Sequence, residues 1–397
     1  MGLEHLLSQR TERMGANAIR EILKVVSQPG MVSLAGGIPA ADSFPMAVFG
    51  DITSAVLEQY GSRALQYDAT EGFAPLQEAL SLYLADHKQI ACKPSDILIF
   101  SGSQGILDGV GKILITKGDI IALESPSYLG AISAFNPYEP QYVSVAMDED
   151  GLIPDSLETV LEQNTIKFVY LVPTFQNPTG RSLALERRKQ VADLIQKYNV
   201  LLLEDDPYGA LRYSGDLLPP IQTFAPENVI YSSTFSKILA PGLRIGFCVA
   251  PEPIRHWLTV AKQGVDLHTN TFGQAIATEY LQGGYLSTQL PKIIELYRPR
   301  RDAMVAALQK YMPAGFSWTI PDGGMFFWVE GPSGFDAEAL YWQCVEKKVA
   351  FVPGKFFYAN ETSIGQATLR LNFTMADEAT IEMAVKTIGD VARHMMG

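Results

Sequence analysis

Apolar positions along this chain change their spacing twice, and each change predicts a different kind of element. Near the start, in AIREILKVVS, Ile19, Ile22, Leu23 and Val26 fall at helical spacing, which predicts an amphipathic helix. Gly30 ends it, and SLAGGIP reads as a turn of small residues. From Ile97 to Val249 the pattern becomes short apolar runs separated by helical segments. DILIF precedes a helix over 106–114, IIALE one over 128–135 and KFVYLVP one over 184–198; VLLLEDD, NVIYSS and RIGFCVA follow. Strands apolar on both faces, alternating with helices, predict a largely parallel α/β sheet covered on both sides. After Pro291 come a helix-rich stretch, PKIIELYRPRRDAMVAALQKY, then GGMFFWVE, a helix from Ala337, VAFVPG and TLRLNF. That order predicts a smaller α+β unit. Three parts are therefore expected: an N-terminal helix and arm over 1–40, a large domain over 41–290 and a small C-terminal domain over 291–397.

Composition narrows the class without naming it. With 397 residues, 47% hydrophobic and 19% charged, the chain has the make-up of a folded globular protein of more than one unit. A net charge of −12 opposes a general nucleic-acid binder, though it leaves room for a local basic pocket around an anionic ligand. Cys92, Cys248 and Cys344 are far apart and form no CxxC pair, so neither a disulfide framework nor a zinc site is expected. The opening residues are charged throughout and lack an apolar signal core, and no apolar run is long enough to cross a bilayer. A cytoplasmic protein without membrane partners is the expectation.

The candidate chemistry lies at the strand ends. DILIF runs into SGSQG, IIALE into SPSY, FVYLVP into TFQNPTG, VLLLE into DDPYG and VIYSS into TFSK. In open α/β sheets ligands sit beyond the carboxyl ends of the strands, so these motifs should line one crevice. SGSQG leads into a helix, whose exposed N–H groups and positive dipole end make an anion seat. Ser232–Gly246, SSTFSKILAPGLRIG, adds hydroxyls, the lone Lys237 and Arg244, a set suited to a phosphate. Two acids after VLLLE are costly to bury unless a cation meets one of them. A protonated ring nitrogen would serve.

SGSQG, SPSY, FQNPTG, EDDPYG, STFSKILAPGLRIGF and TLRLNF, in this order and spacing, resemble the pyridoxal 5′-phosphate (PLP) aminotransferases of fold type I, class I/II, over nearly the whole chain. AIREILK, SLAGGIPA, LQYDATEGF and AKQGVDLHT are closest to the 2-aminoadipate (LysN-type) and kynurenine/aminoadipate group. The resemblance implies an α/β fold with a PLP-binding large domain and a smaller α+β C-terminal domain. It implies that Lys237 forms the Schiff base with the PLP aldehyde and later moves the proton between substrate and cofactor. Asp205 would keep the pyridine nitrogen protonated, with its neighbour Asp206 as the rival. Tyr208 and Asn177 would bond the phenolic oxygen, and Tyr128 would stack on the ring. Ser103, Gln104, Thr234, Ser236 and Arg244 would hold the phosphate, joined by Tyr67 from a partner subunit, which implies a homodimer.

Arg370 in TLRLNF matches the arginine that grips the substrate α-carboxylate, assisted by Asn177 and the backbone at Gly37. Arg20 aligns with a helix arginine that meets a distal carboxylate, and from its place on the helical wheel it faces either a cavity or water. The implied reaction moves an amino group between an L-amino acid and a 2-oxo acid, 2-oxoglutarate being the shared acceptor, in a ping-pong cycle. Donors of the 2-aminoadipate, aromatic or branched-chain type are expected. Two other readings stay open: a C–S β-lyase on the same scaffold, and a MocR-like regulator lacking its DNA-binding domain. No basic recognition helix precedes the first motif, which weighs against the regulator.

Overall fold

A computed structural model of the chain describes residues 2–14, 25, 28–360 and 363–397. Of the amphipathic helix predicted around Ile19–Val26, every residue but Val25 lies outside them, Arg20 included. The centre is a seven-stranded sheet: β1 Ile97–Ser101, β2 Ile120–Glu124, β3 Gln141–Val145, β4 Ile166–Leu171, β5 Leu201–Asp205, β6 Val229–Thr234 and β7 Ile245–Val249. Their order across the sheet is β1-β7-β6-β5-β4-β2-β3. Strands β2 to β6 pair in parallel, whereas β7 runs antiparallel to both β6 and β1. The predicted parallel sheet thus contains one reversed strand, reached from β6 by the short Phe235–Arg244 connection rather than by a helical crossover.

Period-2 alternation sorts the strand residues onto two faces. Phe168, Tyr170 and Leu203 enter a core with Leu76 and Leu80 of the helix Ala74–Lys88 and Ile106 and Val110 of the helix Ser103–Leu114. Val169, Leu171 and Leu202 enter a second core, with Leu157 of the helix Pro154–Gln163 and Val191 and Ile195 of the helix Leu185–Lys197. Burial on both faces explains why these strands read as unbroken apolar runs. Edge strand β3, QYVSV, is only partly buried, so polar Gln141 and Ser144 interrupt it and it carries no such run.

The smaller unit has an antiparallel sheet of β8 Ser317–Trp318, β9 Phe326–Glu330, β10 Val352–Pro353 and β11 Thr368–Asn372, ordered β8-β9-β11-β10. One continuous helix, Tyr285–Tyr311, leads into it and passes through the expected 290/291 boundary with Pro291 and Pro299 inside. The arm joins this unit as well: Val32–Ser33 pairs in parallel with Val349–Ala350, and the Asn372 N–H donates to the Leu34 carbonyl at 2.7 Å. These pairings bring Ala35–Ile38 across the open ends of β5 and β6.

Candidate active site

The loops leaving β1, β2, β4, β5 and β6 meet the arm and β11 around one cavity of about 750 Å³. Gly37, Ser103, Gln104, Tyr128, Asn177, Asp205, Tyr208, Thr234, Ser236, Lys237, Arg244 and Arg370 all line it. Tyr67 does not: its side chain is 76% exposed on the surface of its own chain, its ring edge-on to His268 at 5.5 Å. Arg20 lies outside the described residues.

One end of the cavity is built for an anion. The helix after β1 starts at Ser103 rather than at Ile106, so Ser103 and Gln104 form its first turn, where backbone N–H groups lack intrahelical partners. Gly102 has φ +75°, and a Cβ there would stand 2.3 Å from Arg244 Nη2. Only glycine at this point lets the guanidinium lie against the helix start. Arg244 is held by donating to the carbonyls of Ser101 (3.2 Å) and Pro241 (3.3 Å). Opposite it, the hydroxyls of Thr234 and Ser236 lie 2.9 Å apart, and Thr234 Oγ1 donates to the Ile245 carbonyl.

At the end of β5 the pleat separates the two acids. Asp205 turns to the cavity and accepts from Tyr170 Oη (3.1 Å) and Ser232 Oγ (3.3 Å). Burial, with the charge of Asp206 adding to it, pushes its carboxyl up to about 7. Asp206 faces the other way and is paired with Lys88 Nζ at 2.6 Å. The sequence left this choice open; the geometry puts only Asp205 on the cavity wall.

Lys237 follows β6. Its Nζ donates to the Gly37 carbonyl at 2.7 Å and lies 6.0 Å from the centre of the Tyr208 ring. Burial first, then the positive charges of Arg370 and Arg244, bring its ammonium down to about 8. A partly buried amine of that acidity is a usable nucleophile and proton carrier near neutral pH. Asn177 Nδ2 donates to Tyr208 Oη at 3.3 Å, while Asn177 Oδ1 accepts from Arg370 Nη1 at 2.7 Å. Arg370 Nη2 donates to the Ala35 carbonyl at 2.6 Å, and the guanidinium lies 4.3 Å from the centre of the Phe326 ring. Its Nε is buried without a partner, and burial lowers its pKa to about 10. Among the described residues no carboxylate pairs with Arg370, so it waits for an anion.

Residues that sequence reading gave no role also shape the site. A Cβ on Gly130 would come within 2.4 Å of the Tyr128 ring, so a bare backbone there sets the ring's place. Gln104 Nε2 donates to the Gly130 carbonyl at 2.9 Å. Gln176 ties the two loops beside Asn177 and Tyr128, donating to Glu124 (3.1 Å) and to the Pro126 carbonyl (2.8 Å). FQNPTG had displayed Gln176, but only its contacts reveal the clamp. Met14, Ile38 and Leu129 add an apolar wall.

A family model described as aminotransferase class I and II matches residues 30–388. The chain belongs to that family. It is 45% identical over 399 residues to aromatic-amino-acid aminotransferase 1 of Thermococcus litoralis, covering 99% of this chain and 95% of the relative. A kynurenine aminotransferase of Pyrococcus horikoshii, solved with PMP, KYN as substrate and KYA as product, superposes with a TM-score of 0.96 at 42% identity, covering 100% and 98% of the two chains. The α-aminoadipate aminotransferase LysN of Thermus thermophilus, complexed with N-(5′-phosphopyridoxyl)-L-leucine, gives 0.92 at 37% identity, covering 100% and 99%.

As a class I and II aminotransferase the protein takes PLP as its cofactor, and the donor set fits that group. The glycine-bounded helix start with Arg244 and two hydroxyls suits a phosphate. The buried Asp205 carboxyl suits a cationic ring nitrogen, and the Lys237 amine suits an aldehyde. Among the described residues no cluster of His, Cys, Asp or Glu could hold a metal ion, and no helix is long and apolar enough to cross a membrane.

Proposed function

We propose that this aminotransferase moves an amino group between L-amino acids of aromatic, branched-chain or 2-aminoadipate type and a 2-oxo acid, 2-oxoglutarate, in a ping-pong cycle. The observation that carries the reading is the Lys237 amine, which lines the cavity with Asp205, Tyr208, Arg244 and Arg370 and donates to the Gly37 carbonyl at 2.7 Å. Bound PLP supplies the electron sink for charge developing at the substrate Cα. Lys237 would hold the cofactor covalently and, as a free amine, would carry the proton from the substrate Cα to the cofactor carbon that had borne the aldehyde. Asp205 keeps a positive charge on the ring nitrogen favourable. Tyr208 and Asn177 orient the ring through its phenolic oxygen, and Tyr128 covers one face.

Arg370, on the cavity wall, receives the α-carboxylate through the N–H groups that Asn177 and Ala35 leave unused, while Asn177 links that grip to Tyr208. Ser103, Gln104, Thr234, Ser236 and Arg244 anchor the phosphate tail. Met14, Ile38 and Leu129 favour donors with apolar side chains. The enzyme works as a cytoplasmic homodimer, in which Tyr67 reaches the partner's phosphate. In support, exposed Tyr67 sits among exposed Leu65, Val265 and Leu267, an apolar surface that a second copy would cover. The relatives that act on aromatic amino acids, kynurenine and α-aminoadipate support the aromatic and 2-aminoadipate donors.

The test is a screen of the twenty amino acids, 2-aminoadipate and kynurenine as donors with 2-oxoglutarate, scored for glutamate formation. Glutamate is expected from aromatic, branched-chain and aminoadipate donors. Release of pyruvate from β-substituted donors without glutamate would replace transamination by a lyase reaction.

A further inference from the structure

Directly behind the cavity acid lies a buried ion pair that the proposed reaction does not use. Lys88 ends the helix Ala74–Lys88, and Gln89 after it takes the left-handed conformation, turning the chain away. The Lys88 side chain is therefore delivered from the helix's negative end into the protein beneath β5, where a cation is favoured. Its Nζ meets Asp206 Oδ2 at 2.6 Å, with the two side chains 10% and 3% exposed. Tyr231 Oη donates to the same oxygen at 2.8 Å, and the Gly209 N–H donates to Oδ1 at 2.9 Å. Asp206 thereby fastens the turn that carries Tyr208. The packing is close: a Cβ on Gly209 would lie 2.3 Å from Asp206 Oδ1 and 2.6 Å from Lys88 Nζ.

We infer that Lys88 is a positioning residue for the cofactor site. Its ammonium offsets the charge of Asp206 behind the strand end, which favours an ionised Asp205 on the cavity side, and the Asp206–Gly209 turn holds Tyr208 in place. Adjacent buried carboxylates oppose each other's ionisation, and an opposite charge on one of them relieves the other. Burial alone would raise Asp206, but Lys88, together with Tyr231 and Arg188, more than offsets this and holds it below its ordinary value. Burial likewise opposes the charge on Lys88, and Asp206, with Tyr83, overcomes it and holds that pKa above the usual lysine value. Tyr83, Arg188 and Glu204 are the other titratable groups that bear on the pair, along with Tyr231 and Asp205. Removing one member of a buried pair leaves a charge stranded, whereas removing both does not.

This rests on the reading that Asp205 faces the PLP ring nitrogen, and the test separates the two. The dissociation constant of PLP from cofactor-free protein is measured by equilibrium dialysis for the wild type, Lys88→Met, Asp206→Asn and the double variant. Lys88→Met is expected to weaken PLP binding by at least about tenfold, and the double variant to return to within about threefold of wild type. The amide oxygen that Asp206→Asn introduces can still accept from the Gly209 N–H or from Tyr231, so the double variant removes charge while keeping the turn. Lost lysine packing is common to Lys88→Met and the double variant; only charge compensation yields rescue. Wild-type affinity in Lys88→Met, or a double variant as weak as the single, overturns the inference. Should Lys88→Met fail to fold, Asp206→Asn, which strands the ammonium instead, is expected to bind PLP at least about tenfold more weakly than the double variant, and equal affinities overturn the inference. A wild-type protein that binds no PLP would instead defeat the reading of the site itself.

Discussion

Arg370→Ala removes the one guanidinium among the described cavity residues that has a buried N–H without a partner. In the folded chain its two terminal nitrogens hold Asn177 and the Ala35 carbonyl, leaving the remaining N–H groups, Nε among them, for a substrate carboxylate. A hydrogen bond to a charged group contributes about 1.5–3 kcal/mol, so a two-pronged grip is worth roughly 3–6 kcal/mol. Water entering the vacated space would recover part of that. A net loss of about 4 kcal/mol corresponds to about a thousandfold fall in kcat/KM for the amino acid. Arg370→Lys keeps a cation without the planar fork and should fall between this and the wild type. The assay is steady-state transamination, run beside a PLP-binding measurement, because Arg370 is assigned to the substrate. If kcat/KM drops less than tenfold, or PLP affinity falls in step with it, Arg370 does not hold the carboxylate.

Two further outcomes follow from named contacts. Gly130→Ala forces the Tyr128 ring aside and should weaken PLP binding about fivefold with little change in the thermal midpoint, in line with the worth of one aromatic contact; unchanged affinity would remove Tyr128 from the ring face. The rate at which cofactor-free protein takes up PLP covalently should rise with pH, reach half its plateau at about pH 8 and level off about one pH unit higher. The sign follows from the lowered pKa of Lys237: the ammonium is disfavoured, so the reactive neutral amine is already about a tenth of the total at pH 7 and dominates above 8. A rate still climbing beyond pH 10 would mean an unperturbed lysine.

Much of this architecture was legible because burial on both sheet faces writes itself as unbroken apolar runs. β1, β2, β4, β5 and β6 each announce themselves that way, and their polar sequels gather at one end of the sheet. β3 escaped because QYVSV, at a half-covered edge, does not need to be apolar throughout. The reversal of β7 was hidden for another reason. RIGFCVA is as buried as its parallel neighbours, and direction leaves no mark on composition. The helix start at Ser103 lay earlier than hydrophobic spacing indicated, since the first turn is occupied by polar residues facing the cavity.

Side-chain partnerships across distant segments were the least legible. EDDPYG could not say which acid faces inward; that depended on Lys88, more than a hundred residues away, whose helix gives no hint that its last residue is buried. Ala35 has no functional group to notice, yet its carbonyl holds Arg370. The helix Tyr285–Tyr311 carries two prolines, which read as a boundary although the chain runs on.

The covalent link at Lys237 underlies every role assigned to the cavity. Borohydride reduction of the PLP-loaded protein, followed by peptide mass mapping, would locate the pyridoxyl group. It should be found on the peptide containing Lys237, and Lys237→Ala should carry none and turn over almost no substrate. A label on another lysine, or a Lys237→Ala protein as active as the wild type, would place the chemistry elsewhere.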